Sequence, residues 1–427
     1  MSRVYHRAWA GIDWGHEAHY VWVLDEEGTR LDEFAVAHSA AGLDELVTRL
    51  EALGPIAGIA IETDRYLLVA KLLEAGFPVY PINPKVAHRW AECFDVDPAT
   101  SDPRAAEVLA RGLRAFADQC RRLVPDDPHT AELAELCAAE TDLIGMRTAL
   151  ANKLKACVRA YHPDLLDWFG DLTQTTACDF LVAYPTAQAL RDATPQSLHA
   201  FLKAHRIGLG PRWQKRIDAR SDAPRWPDEP GRSRARAVKA EALAKTLRSL
   251  NAQLAKVRKA IAELFAAHPD AELVASLPGV GAKLAPRLLA HLGSDRERWD
   301  DAEALQVLSG TVPVTRTSGK LKGHRLFRWA CQKRFRNTMR QWAFTSLSYS
   351  VWARAYYERA RARKQSHELA LRNLGAKWLK ILFRLWHERT PYDERRHLRA
   401  LEQHGSPLTR HIRRSQKCGE LMKKLLT

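Results

Sequence analysis

Residues 10–15 read AGIDWG, a short apolar run that ends on a carboxylate, Asp13. An acid at the end of a strand is held by the sheet without being buried in it. A second run, IAGIAIETD at 56–64, repeats the device, with Ile56, Ile59 and Ile61 leading to Glu62. If the two strands are neighbours, Asp13 and Glu62 lie within a few ångströms of each other. Like charges that close repel unless a cation lies between them. From spacing alone, two solvated strand ends account for the pair as well as a functional site does.

Working outward, the pattern predicts strands over 8–13, 19–25 and 30–36, an antiparallel meander that turns at Glu27-Gly28. Apolar residues at helical spacing over 40–53 stop at Gly54-Pro55, just before the Glu62 strand. A helix over about 66–75, a strand over 77–82 and a helix over 84–93 follow. Three antiparallel strands and then alternating helix and strand is the order of the RNase H-like fold. Sites on that fold collect carboxylates from the first strand, the fourth strand and a later helix. The later helix is expected near TSDPRAAEVLA, 100–110, where Asp102 precedes a proline suited to the first helical position. The ordinary role for Asp102 there is an N-cap, its oxygens turned toward its own helix.

Two long amphipathic helices are expected over 130–161 and 234–267, separated by a small helical insert at 163–220 and a Pro-, Gly- and Arg-rich linker at 221–234. Such helices form coiled coils or oligomer arms, or pack within one chain. Residues 273–293, LVASLPGVGAKLAPRLLAHLG, read as a helix-hairpin-helix. Gly279 and Gly281 there allow close approach of a phosphate at a helix N-terminus, with Lys283 beside it, or serve plain helix packing. Leu284 after Lys283 excludes a P-loop. The stretch 308–328, LSGTVPVTRTSGKLKGHRLFR, gathers Arg316, Lys320, Lys322, His324 and Arg325 around Ser318-Gly319 in a basic loop. A serine hydroxyl needs a base or concentrated positive charge to act as a nucleophile, and most serines in turns are structural. The segment from 332 onward is helical, basic and aromatic, and its Trp and Tyr residues at helical spacing fit a core.

Composition bounds these readings. The 427 residues suffice for two or three domains, with 46% hydrophobic residues and no apolar run of membrane-spanning length. Mean hydropathy is −0.36. The start of the chain lacks the apolar stretch of a signal peptide, so a cytoplasmic location is expected. Seven cysteines without a C-x-x-C pair fit neither a zinc site nor a disulfide framework. Net charge is +16, distributed as −7 over residues 1–115 and +23 over the remainder. A basic body of that kind suits contact with phosphates.

With these pieces in this order, the chain resembles the DEDD transposases of insertion-sequence family 110, the bridge-RNA-guided recombinases, over nearly its whole length. The resemblance rests on GID at 11–13 with IET at 61–63, on SDPRAAEVLA at 101–110, and on SLPGVGAK followed by SGTVPVTRTSG. It implies a RuvC-like (RNase H fold) domain over 1–125, a coiled-coil region with a helical insert over 126–268, a helical transposase domain over 269–400 and a basic tail. It further implies that Asp13, Glu62 and Asp102 are ligands of Mg2+ or Mn2+, and that Ser318 attacks a DNA phosphate to form a covalent phosphoserine link. Its implied partners are donor and target double-stranded DNA, a guide RNA and further copies of the chain in a dimer or tetramer, in a bacterial cytoplasm at the nucleoid.

One position departs from the family pattern. The fourth carboxylate stands three residues after the third, and here that residue is Ala105. Glu107 is no substitute, because five residues along a helix turn it about 140° away from Asp102. The alanine reads as a deliberate catalytic knock-out, with weak metal binding and little or no cleavage expected. A Holliday-junction-type nuclease with a structural Ser318, and a non-catalytic nucleic-acid-binding protein, remain alternatives. An actin-like ATPase also places an Asp on a first strand, but the absence of glycine-rich phosphate loops and of a second matching half ranks that reading well below the others.

Overall fold

The computed structural model describes residues 7–64, 66–94, 101–220, 230–318 and 321–426, without the side chains of 230, 316–318, 321–324 and 424–426. The chain divides into two compact units, Met1–Pro125 and Asp126–Thr427.

In the first unit, β1 (Ala8–Trp14), β2 (Ala18–Leu24) and β3 (Arg30–Ala37) form the antiparallel meander. Then come α1 (Ala40–Ala52), β4 (Ile56–Ile61), α2 (Tyr66–Glu74), β5 (Val79–Pro81), α3 (Pro84–Phe94) and α4 (Asp102–Phe116). The sheet order is β3-β2-β1-β4-β5, with β4 parallel to both β1 and β5. This is the α/β arrangement that the order of elements predicts. Strand alternation divides the side chains between two layers. Ala8, Ala10, Ile12, Ile59 and Ile61 pack with α1 and α2, whereas Trp9, Ala60 and Tyr80 pack with α3 and α4.

Gly11 lies on the second face and sets the distance at which α4 rests on the sheet. A methyl group at that position would lie 2.1 Å from the Ala106 carbonyl oxygen and 2.4 Å from the Ala110 amide nitrogen. Only a residue without a side chain lets the helix backbone touch the central strand.

In the second unit, the two long helices α5 (Pro128–Arg159) and α11 (Pro230–Ala267) pair with each other within one chain. Their ends serve different cores. Ala151, Leu154 and Val158 of α5 meet Ala240, Ala244 and Leu247 of α11 in the core of the insert helices α6 (Asp164–Trp168), α7 (Thr175–Ala183), α8 (Ala187–Asp192), α9 (Pro195–Ala204) and α10 (Pro211–Ala219). Leu133 and Ile261 join the other core. Most of the expected linker, 221–229, lies outside the described residues, and its last part is already helix in α11.

The remaining elements are α12 (Ala271–Ala275), α13 (Gly281–Leu292), α14 (Ala302–Ser309), β6 (Val314–Ser318), β7 (Leu321–Leu326), α15 (Lys333–Ser346), α16 (Val351–Ala362), α17 (His367–Glu388), α18 (Glu394–Gln403), α19 (Pro407–Arg414) and α20 (Gln416–Leu426). Trp342, Trp378 and Trp386 are fully buried, and each indole N–H is satisfied: by the Pro278 carbonyl at 3.1 Å, Ser346 Oγ at 2.9 Å and Asp270 Oδ2 at 3.1 Å. These aromatics belong to the core. Buried Glu140 accepts from Arg258 at 2.7 Å and Arg287 at 2.6 Å, joining α5, α11 and α13.

Gly11→Ala is expected to destabilise the first unit by about 2 kcal/mol or more, since the added methyl cannot be relieved without moving backbone. Urea unfolding followed by circular dichroism checks this, and an unchanged midpoint would refute the close packing.

Candidate active site

The same alternation that puts Gly11 beneath α4 carries Asp13 to that face, two residues further along β1. On β4, Ala60 faces α4, so Glu62 follows on the same side. The parallel register aligns Ile12 with Ile61 and brings the two acids to adjacent strand ends. Asp102 enters from above as the first residue of α4, one turn before the Ala106 contact. The N-cap is Ser101, which makes no side-chain capping bond. Asp102 is therefore inside the first turn, and not the cap that its sequence context suggests.

Electrostatics couple the three acids. Half-buried Asp13 is pushed from 3.8 up to about 6, first by burial and then by the charges of Asp102 and Glu62, partly offset by the Trp14 amide. Desolvation also raises Glu62, although its residue surface is largely open. Ala105 offers the site only a methyl. Glu107, the nearest acid on α4, is engaged elsewhere, with Arg104 at 2.7 Å and Arg111 at 2.6 Å. Among the described residues no group of three or more His, Cys, Asp or Glu is gathered so as to hold a metal ion. The donor chemistry suits a hard divalent cation, but these oxygens do not close into a ligand shell by themselves.

In the second unit the serine segment forms a ribbon where a basic loop was expected. Strands β6 and β7 pair antiparallel, with Arg316 opposite His324, Thr315 opposite Arg325 and Ser318 opposite Leu321. Gly319 and Lys320 lie outside the described residues, as do the side chains of Arg316, Ser318, Lys322 and His324. Arg325 is exposed. The base of the ribbon is fastened by Phe327, whose ring lies 4.6 Å from the Arg336 guanidinium of α15 and 5.1 Å from that of Arg372 on α17.

Helices α12 and α13 are joined by the turn that carries both glycines. Gly279, at φ +79, faces its own chain, since a methyl there would lie 2.7 Å from the Ser346 amide nitrogen. It serves packing. Gly281, at φ +53, opens α13 with nothing over it and borders a groove of about 830 Å3, lined also by Lys283, Arg147, Arg334, Asn337 and Gln341.

Residues 10–163 match the DEDD-type transposase family of IS110, and residues 271–358 match the transposase family of IS116, IS110 and IS902. The IS117 mini-circle protein of Streptomyces coelicolor is 32% identical over 401 residues, covering 90% of this chain and 95% of its own length. The chain belongs to the IS110 family of transposases. Further relatives are the IS110 43.6 kDa protein of Streptomyces coelicolor, 28% identical over 399 residues (90% of this chain and 95% of the relative), and the IS900 42 kDa protein of Mycobacterium paratuberculosis, 27% identical over 389 residues (90% and 96%). Among the described residues of this transposase no helix is long and apolar enough to cross a membrane.

Two features of the transposase escaped the reading of its sequence. The Phe327 fastening depends on arginines far along the chain, and no local pattern announces it. The packing role of Gly11 does have a signal, a glycine two residues before a strand-end acid.

A raised carboxyl pKa opposes folding once the acid ionises. The Asp13 contribution is therefore favourable below about pH 4 and is lost as pH rises through about 6. In EDTA, Asp13→Asn should melt like the parent near pH 4 and become more stable by about 1 kcal/mol at pH 7.5, after allowance for solvent screening. Millimolar Mg2+ should narrow that gap. A gap independent of pH would show that the three acids are not coupled.

Proposed function

We propose that this transposase exchanges DNA strands through a covalent serine intermediate, under the direction of a guide RNA, and that Ala105 attenuates or abolishes the chemistry. The observation that carries the reading is the convergence of Asp13, Glu62 and Asp102 charge on the α4 face of the sheet. Those three side chains would hold Mg2+ or Mn2+. When bound, the ion neutralises charge that develops on a transferring phosphoryl group.

Ser318 is the nucleophile in this reading. Its Oγ forms a bond to a DNA phosphorus while the bond from that phosphorus to one deoxyribose oxygen breaks, and the hydroxyl proton goes to the departing strand. Attack by a second strand's hydroxyl then reverses the step with the strands exchanged. The phosphoester bond is retained throughout, so no nucleotide is consumed. Arg316, Lys320, Lys322, His324 and Arg325 on and about the ribbon, and Gly281 with Lys283 at the groove, contact the DNA or RNA backbone as a helix-hairpin-helix and basic hairpin would. Sequence is left to base pairing with the guide. The family resemblance implies a site shared between protomers of a dimer or tetramer, and the long helices would serve as its arms.

A second reading, a protein that binds nucleic acid without cutting it, is favoured by the methyl at position 105 and by the acids' failure to close a ligand shell among the described residues. Recombination between donor and target plasmids carrying the element's flanking DNA and noncoding RNA separates the two. Ala105→Asp should recombine at least about a hundredfold more often than the chain as it stands, and adding Ser318→Ala should return it to background. Equal recombination by Ala105→Asp and the double variant would remove Ser318 from the mechanism. Failure of every form while RNA still co-purifies would favour the binding-only reading.

A further inference from the structure

Beside the carboxylates stands an aromatic pair that the mechanism above does not use. Trp14 directly follows Asp13, and Tyr66 opens α2 four residues after Glu62. Their rings stack with centroids 4.6 Å apart and planes within 10°, and His16 meets the edge of Trp14 at 4.8 Å. The stack thus joins the two strand ends that carry the acids.

Tyr66 is not a core residue. It is 57% exposed, and its neighbour Leu67 is 70% exposed. One face of the phenol ring lies on Trp14, which leaves the other open to solvent. Its backbone sits at φ +77, a left-handed conformation that is costly for a bulky side chain. Folding gains little from holding an exposed ring in a strained backbone. A supported ring with one free face, beside acids suited to phosphoryl transfer, has the form of a stacking platform for a base.

We infer that Tyr66, backed by Trp14, stacks a nucleobase flanking the phosphate at the carboxylate site, and so holds that nucleotide out of its duplex stack. This rests on the strand-exchange reading and adds the contact that fixes the nucleotide's position. Tyr66 is a positioning residue. It donates no proton and holds no ion, and Phe should replace it whereas an aliphatic side chain should not.

The test is photocrosslinking of the full chain, with Mg2+, to a single-stranded oligonucleotide carrying 5-iodouracil in place of thymine, which reacts with aromatic rings stacked against it. Adducts are mapped by mass spectrometry of tryptic peptides, with filter retention measuring total DNA bound. The peptide 66–71, YLLVAK, should carry an adduct in the parent and in Tyr66→Phe. In Tyr66→Ala and Tyr66→Gly its yield should fall about tenfold or more, while total retention stays within about twofold because phosphate contacts dominate it. Tyr66→Gly relieves the left-handed strain and should melt no lower than the parent, so its loss of adduct cannot come from misfolding. DNA retained with adducts only on other peptides, or an undiminished yield in Tyr66→Ala, overturns the platform alone. A parent chain that retains no DNA overturns the strand-exchange reading and the platform together.

Discussion

The contact on which the first unit depends is backbone against backbone, with α4 seated on β1 over Gly11. A side chain there would lift the helix off the sheet. Contact at Ala106 and Ala110 leaves one further turn of helix toward the strand ends, and Asp102 stands on it. The same strand, read two residues further, presents Asp13. The geometry of the acids is thus a consequence of how closely helix and sheet approach.

Asp13 and Glu62 work against the fold that holds them. Burial and mutual repulsion raise Asp13, so its ionisation at neutral pH takes stability away. Groups that oppose folding and are held together nonetheless mark a site where chemistry outweighs stability. Ala105 fits the same balance. A methyl at that position adds no charge to the repulsion among the acids and leaves the packing of α4 intact.

The second unit solves a different problem, fixing a basic body around buried polar groups that need partners. Three buried tryptophans each find an acceptor, and Glu140 neutralises two arginines at the meeting of three helices. Arginines thus occur both as structural cations and as surface charge, and the net charge alone does not separate them. Phe327, held between Arg336 and Arg372, ties the base of the Ser318 ribbon to α15 and α17.

Much of this was legible in the sequence. Alternating apolar residues marked β1 to β4, and Gly-Pro and Ser-Asp-Pro marked the ends and starts of helices, because those signals are local and act within a few residues. The strand-end position of Asp13 and Glu62 followed from the same patterns, and the departure at Ala105 from comparison with a motif. Whether the long helices pair within the chain, whether Gly279 faces a ligand or its own backbone, and whether the Ser318 segment is loop or ribbon depend on residues far away in sequence, which no local period encodes. The sequence by itself determined the elements of the first unit and the order of the acids. Only the tertiary structure decided their mutual repulsion, the role of each glycine and the stack of Tyr66 on Trp14, because these arise from distances between segments that local preferences do not set.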